Sequence, residues 1–271
     1  MAIRFNEENH TYTSETGENF CSVTKLIEKY TPPYDADYWS TYKALKAVLS
    51  RHGIWEKYKK IAGGWNNVVT FARHIDTDFK YRKEVVMEKK LILKSWDDKK
   101  KDALDKGSEY HDMMERKVIE ELGGTHTIKG TRPDIIGTPD FSIDALYPEL
   151  LIYNETWRVA GQADLVTQTG KRVDILDYKT SEKIEKKSFM NQCLIGPLSS
   201  LPNANFYKYS IQLSIYACML EEAGYEIGDL IIEHVDKNSF KTIDIYPVAY
   251  HRDEVHELIK EYAGVIREEI W

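Results

Sequence analysis

Gly161-Gln-Ala-Asp164 and Asp174-Ile-Leu-Asp177-Tyr178-Lys179-Thr180, joined through Gln168-Thr169-Gly170-Lys171, decide how this chain is read. The two halves have the composition of short strands and the linker that of a tight turn. Strand side chains repeat every two residues, so Val173, Ile175, Asp177 and Lys179 share one face. With Thr169 and Gly170 as the central turn residues, Asp164 pairs across from Ile175 and lies diagonal to Asp177 on that face. Diagonal neighbours are roughly 7–8 Å apart, within reach of one shared ligand. Two carboxylates and a lysine converging in this way suit a divalent cation that takes oxygen ligands. A solvated surface hairpin satisfies the same short pattern, so the rest of the chain has to decide between them.

Composition narrows the class. The 271 residues are 42% hydrophobic and include 18 Tyr and 6 Trp, which describes a globular chain with a sizeable core. The net charge of −7 argues against indiscriminate coating of nucleic acid, although a local basic groove remains compatible with it. Cys21, Cys193 and Cys218 are sparse and scattered. They fit a reducing compartment and are too few for a four-cysteine iron–sulfur cluster. Met1-Ala-Ile-Arg-Phe-Asn6 lacks the apolar stretch of a secretory leader, and no apolar run approaches the ~18–20 residues of a membrane span. A cytoplasmic protein without membrane attachment is expected.

Three segments follow in order within what reads as one domain. Residues 1–30 read as a hairpin, with strand residues at Ile3-Arg-Phe5 and His10-Thr-Tyr12, leading into a helix capped by Ser22 or Thr24. Residues 31–106 read as helices broken near His52-Gly53 and Gly63-Gly64. Residues 56–106 carry 14 Lys/Arg against 9 Asp/Glu, so the remainder of the chain holds a net −12. Between Lys80 and Lys101, basic residues alternate with Tyr81 and Trp96. That suits phosphate contacts and base stacking along a nucleic-acid strand. It equally suits a solvated, salt-bridged helix face in which acids such as Glu84 and Glu88 stand against bases such as Lys90 and Lys94, the commoner use of such runs.

Residues 107–271 hold the expected core. Gly107-Ser108 reads as the start of a helix on which His111 and Glu115, four apart, share a face with Met114 and Val118. Thr138-Pro-Asp140 is set aside as a site motif, because Asp140 has no acid-x-lysine at hairpin spacing. Glu149-Leu-Leu-Ile-Tyr153 reads as a strand. Residues 181–209 read as a long connection of the kind that is often functional. Ser210 to Gly224 reads as a helix with Gln212 and Tyr216 on one face, followed by strands at 230–235 and 242–246 and a closing amphipathic helix at 252–270.

Gly107 with His111, Gly161 with Asp164, Asp177-Tyr-Lys179-Thr180, and Gln212 with Tyr216, in that order, resemble the RecB-like branch of the PD-(D/E)XK nucleases. His10-x-Tyr12 with Ser22-Val-Thr24 adds a resemblance to phage-encoded exonucleases and to the mitochondrial genome maintenance exonuclease. The resemblance implies a restriction-endonuclease-like α/β core, a central mixed sheet flanked by helices, with an N-terminal hairpin and a helical insert. It implies Mg²⁺ or Mn²⁺ as cofactor, without an iron–sulfur cluster or a nucleotide. His111, Asp164, Asp177 and the carbonyl of Tyr178 would be metal ligands. Asp164, Asp177 and Lys179 would be catalytic, with Lys179 orienting the attacking water. Gln212 and Tyr216 would bind the substrate strand, with Glu149 and Glu115 in support. The implied activity is a DNA exonuclease of phage or bacterial recombination, repair or processing, acting on DNA with a free end alongside recombination or replication proteins. Segment 36–106 and loop 181–209 would then form a passage for the strand. A structure-specific or nicking endonuclease of the same fold, or a catalytically silent DNA-binding subunit, are the alternatives. The chain has no Gly-x-x-x-x-Gly-Lys-Ser/Thr loop and therefore no helicase motor of that kind.

Overall fold

The structure is a computed structural model that describes residues 3–6, 9, 11–74, 80–124, 134–135 and 144–270. His10, Pro139 and Asp140 lie outside the described residues. The chain divides into two compact units, one made of 1–32 with 106–271 and the other of 33–105.

The larger unit is built on one mixed sheet. Strands β1 (Ile3–Asn6), β2 (Thr11–Ser14) and β3 (Asn19–Ser22) form an antiparallel meander, so a third strand adds to the expected hairpin. Ser22 ends β3 and caps α1 (Val23–Lys29), its side chain accepting a hydrogen bond from the Lys25 N–H. The two-residue β4 (Asp134–Ile135) pairs parallel with β5 (Ala145–Asn154). β5 pairs antiparallel along β6 (Val159–Thr169), which turns into β7 (Arg172–Lys179). After α6 (Asn205–Glu222), β8 (Glu226–Val235) pairs parallel with β7, and β9 (Thr242–Pro247) closes the sheet antiparallel to β8. α7 (Arg252–Ile270) follows. A parallel pair needs a crossover, and α6 is that crossover. It is apolar almost all round: Ile211, Leu213, Ile215, Ala217 and Leu220 are fully buried, in one core with α1, α7, Val173 and Ile175 of β7, and Val166 of β6. Leu176 and Tyr178 of β7 belong to a separate cluster with Tyr110 and Met114. The sheet is therefore flanked by helices, as expected for a restriction-endonuclease-like core.

Three local expectations change. The hairpin turn is Gly170-Lys171, one residue later than expected, with Gly170 at φ 57 in the first central position where such turns favour glycine. Val166, not Asp164, consequently pairs with Ile175. The slip moves each partner by two residues, so the alternation of faces is preserved. Gly107 does not start a helix: α5 runs unbroken from Arg82 to Glu121. One interior glycine costs about 1 kcal/mol, which strong helix formers on both sides outweigh. α6 begins at Asn205 rather than Ser210, because its first residue follows Ala204, which offers no side-chain cap for the sequence to reveal.

In the smaller unit, α2 (Ala36–Arg51), α3 (Trp55–Ile61), α4 (Val68–His74) and the first part of α5 enclose Leu45, Val48, Leu49, Val68, Val69 and Val85. Some of its charges pair across helices: Arg51 with Glu88 at 2.6 Å, His52 with Glu84 at 3.0 Å, Arg73 with Asp37 at 2.7 Å, and Lys89 with Asp37. The interleaved run at 80–101 is thus in part the salt-bridged face that such runs usually form.

Gly161, in the core, leaves no room for a side chain. A Cβ there would stand 2.8 Å from both Cε1 and the hydroxyl of Tyr216 and 3.1 Å from Val23 Cγ2. Gly161→Ala should therefore destabilise by about 1–3 kcal/mol, as overpacked core sites do. Gly264→Ala, on α7 with open space around the added carbon, should stabilise by up to about 1 kcal/mol. Denaturant midpoints moving in opposite directions check the pair; equal midpoints would refute the close-approach account.

Candidate active site

The site forms where two ladders of the sheet separate. Along one edge of β6, β3 pairs only at Val159 and Ala160, and β7 pairs only from Leu165 onward. Gly161 to Asp164 occupy the gap. β6 and β7 pair as far as Leu165↔Leu176, which leaves Asp164 and Asp177 as the next residues of the two strands. On the other edge, Pro148↔Leu165 and Leu150↔Ala163 put Glu149 across from Asp164. Three acids therefore stand in a row over β5, β6 and β7. Glu149 takes a left-handed φ of 50, uncommon for a residue with a side chain and often found where a site stores strain.

α5 supplies the fourth group. His111 Nδ1 is 3.2 Å from Glu149 Oε1 and 3.5 Å from Asp164 Oδ1. Donor atoms of His111, Glu149 and Asp164 all lie within 4.8 Å of one another, a span that fits a single metal ion. Tyr110, the residue before His111, is buried edge-on against Tyr178 at 5.4 Å and anchors this turn of α5. The other oxygen of Asp164 accepts a 2.6 Å hydrogen bond from the Tyr178 N–H. Asp177 is buried, and Lys179 Nζ stands 2.6 Å from its Oδ2. The ammonium is close but off the hydrogen-bonding direction, and neither Asp177 oxygen has an aligned donor among the described residues. Lys179 also lies 4.8 Å from the ring centre of Tyr209 on α6.

The electrostatics follow from three carboxylates facing two bases. Burial raises Asp177 above the usual carboxylate range, and the attraction of Lys179 only partly offsets this. Burial also raises Asp164, against the pull of His111 and Lys179. For His111, burial alone would lower the pKa, but Asp164 and Glu149 outweigh it and push it up to about 9. Lys179 is likewise held above its usual value, Asp177 and Asp164 overcoming its desolvation. The surplus negative charge, the lack of an aligned donor at the Asp177 oxygens and the mixed oxygen and imidazole donors together fit a divalent cation.

The sequence-derived candidates fall into groups. His111 and Asp164 meet in the donor trio, and Asp177 and Lys179 form the buried pair beside it. Tyr178 contributes its N–H through Asp164. Glu149, expected only as support, is a full member of the trio. Glu115 is buried on α5 and is not part of that trio. Tyr216 is buried against Gly161 and bonded to the Gln212 side chain, so Gln212, half-buried, is the member of that pair that reaches solvent. The sequence reads 181–209 as a connection, which conceals Tyr209. Its spacing from Gln212 and Tyr216, three and seven residues, is the helical signal that would have found it.

Lys179→Met should leave Asp177 buried without compensation and lower stability by roughly 3–5 kcal/mol in the presence of chelator. Loss of the ammonium raises Asp177 further, so its protonated form persists at acid pH and the loss is smaller at pH 5 than at pH 8. Adding Asp177→Asn should recover most of it. Additive losses in a denaturation double-mutant cycle would deny the pair its mutual role.

The family model described as the PD-(D/E)XK nuclease superfamily matches residues 80–269, which include every site residue above. No curated protein matches the chain.

Proposed function

The chain belongs to the PD-(D/E)XK nuclease superfamily, a family of metal-dependent phosphodiester hydrolases, and we propose that it is a Mg²⁺- or Mn²⁺-dependent DNA exonuclease of the RecB-like branch. The observation that carries this reading is the donor trio of His111, Glu149 and Asp164 beside the buried Asp177–Lys179 pair. His111, Glu149, Asp164 and Asp177 would hold the cation, with the Tyr178 carbonyl beside them. Imidazole among the ligands favours Mn²⁺ over Mg²⁺. When bound, the cation lowers the pKa of a water and acts as a Lewis acid on the phosphate. Lys179 stays an ammonium between Asp177 and Asp164, so it serves to orient the attacking water and neutralise phosphoryl charge rather than to take a proton. Tyr209 holds Lys179 from the α6 side. Gln212 offers its amide to the strand, and Tyr216 steadies Gln212 from within the core. The order of the motifs along the chain supports the RecB-like assignment and, with it, a role in phage or bacterial recombination, repair or processing of DNA ends alongside recombination or replication proteins. Among the described residues no helix is long and apolar enough to cross a membrane.

End-labelled linear and covalently closed circular DNA, incubated with Mg²⁺, Mn²⁺ or EDTA, test the proposal. Linear DNA should be degraded with either metal and spared in EDTA, and the circle should persist. Asp177→Ala and Lys179→Ala should each lower the rate by at least about a hundredfold, the usual loss when a preorganised charge is removed. Full activity in either variant, or in EDTA, would overturn the site, and cutting of the circle would make the enzyme an endonuclease.

A further inference from the structure

The connection from Lys179, the last residue of β7, to Asn205, the first of α6, presents three large apolar side chains to solvent, Phe189, Met190 and, less fully, Ile195. Phe189 is 63% exposed and Met190 67% exposed. These two sit in a short 3₁₀ turn, Phe189–Asn191, in which Met190 has φ 55, ψ 28 and Asn191 has φ 55. A left-handed conformation costs a residue with a side chain roughly 1–2 kcal/mol. Such strain persists only where the surroundings impose it.

The surroundings here are firmly built. His234 Nε2 lies 2.7 Å from the Ser181 carbonyl oxygen. Asn205 clamps the first half, donating to the Lys183 carbonyl at 2.7 Å and accepting from the Glu185 N–H at 2.7 Å. The second half is held by the Leu194 N–H to the Leu201 carbonyl at 2.9 Å, the Asn203 N–H to the Gln192 carbonyl at 2.7 Å, and the Ile195 N–H to the Tyr30 carbonyl at 2.9 Å. Leu194 and Leu198 are buried in the main core. The backbone is thus pinned on both sides of the turn that carries Phe189 and Met190.

Charge identifies what they meet. The unit formed by 1–32 and 106–271 carries a net −12, yet from Ser181 to Tyr209 four lysines face two glutamates. Lys186 is held over the rings of Phe206 and Tyr246, at 4.5 and 5.3 Å. Lys183 and Lys187 are exposed on either side of it. Apolar side chains flanked by cations, on the segment that continues directly from Lys179, match a nucleic-acid end: the lysines take phosphates and the apolar pair takes the face of a base.

We propose that Phe189 and Met190 form a wedge that stacks on and opens the terminal base pair of duplex DNA, with Lys183 and Lys187 on the adjoining phosphates. The wedge rests on the nuclease reading and adds to it a double-stranded end as substrate.

The test uses the full chain and a blunt duplex carrying 2-aminopurine at the terminal pair, first in EDTA and then with Mn²⁺, beside the same strand alone. In EDTA the unaltered protein should raise 2-aminopurine fluorescence at the duplex end. Phe189→Ala and Met190→Gly, the latter suited to the left-handed backbone, should weaken that rise about tenfold. With Mn²⁺ they should lower the duplex rate relative to the single-strand rate by a similar factor, as loss of one base stack does. Ile243→Ala, an exposed apolar residue on β9, should leave both readouts unchanged. Variants that open the end as well as the unaltered protein does would overturn the wedge. So would an unaltered protein that degrades the single strand without opening the duplex. A shift in oligomeric state with unchanged fluorescence would assign the pair to a protein contact instead. Failure to cleave either DNA would defeat the nuclease reading itself, whereas cleavage of the single strand with no fluorescence rise in EDTA would defeat the wedge alone.

Discussion

The hydrogen bond from the Tyr178 N–H to Asp164 Oδ2 is the constraint on which the site depends. Beyond Leu165↔Leu176 the strands β6 and β7 no longer pair through their backbones. A buried N–H left there without a partner would cost about 1–3 kcal/mol. The Asp164 side chain supplies the acceptor, so the strands can part without an orphaned donor. One oxygen is committed to the backbone, and the other is turned toward His111. The same bond therefore permits the split in the sheet and aims the carboxylate that occupies it.

Parting the strands has an electrostatic consequence. Glu149, Asp164 and Asp177 come into one row, and His111 and Lys179 supply two positive charges for three carboxylates. Each base is pulled toward its charged form, while burial holds the aspartates above their ordinary range. Neither tendency is resolved within the chain. A cation at this position relieves both, because it removes carboxylate repulsion and satisfies the Asp177 oxygens.

Much of this was legible in the sequence because it is carried by short-range periodicity. Asp177 and Lys179 read as neighbours on one strand face, and His111 read as standing on a helix. The hairpin itself was legible, but its register was not: Thr169-Gly170 and Gly170-Lys171 serve equally as turn centres, and tertiary pairing chose the second. The unbroken α5 was obscured because Gly107 looks like punctuation until the flanking helix formers are weighed together. Glu149 reads as a supporting residue for a different reason. Its place opposite Asp164 depends on pairing between β5 and β6 and on a left-handed backbone, neither of which leaves a local pattern. Tyr209 was hidden by a helix start that lacks a cap.

The helix that carries Tyr209, Gln212 and Tyr216 shows how fold and chemistry are joined. β7 and β8 run parallel, so the chain after Lys179 must cross over, and α6 is obliged to lie on the sheet. The height at which it lies is set at Gly161, where the Tyr216 ring takes the space that any Cβ would fill. That height fixes the distance from the Tyr209 ring to Lys179 Nζ, 4.8 Å, about two turns from Tyr216 along the same helix. A glycine three residues before Asp164 thus controls, through packing alone, how the opposite wall of the site presents itself to the lysine. The spacing Gly-x-x-Asp is accordingly two constraints in one strand: the first residue sets how close the helix comes, and the fourth provides the ligand.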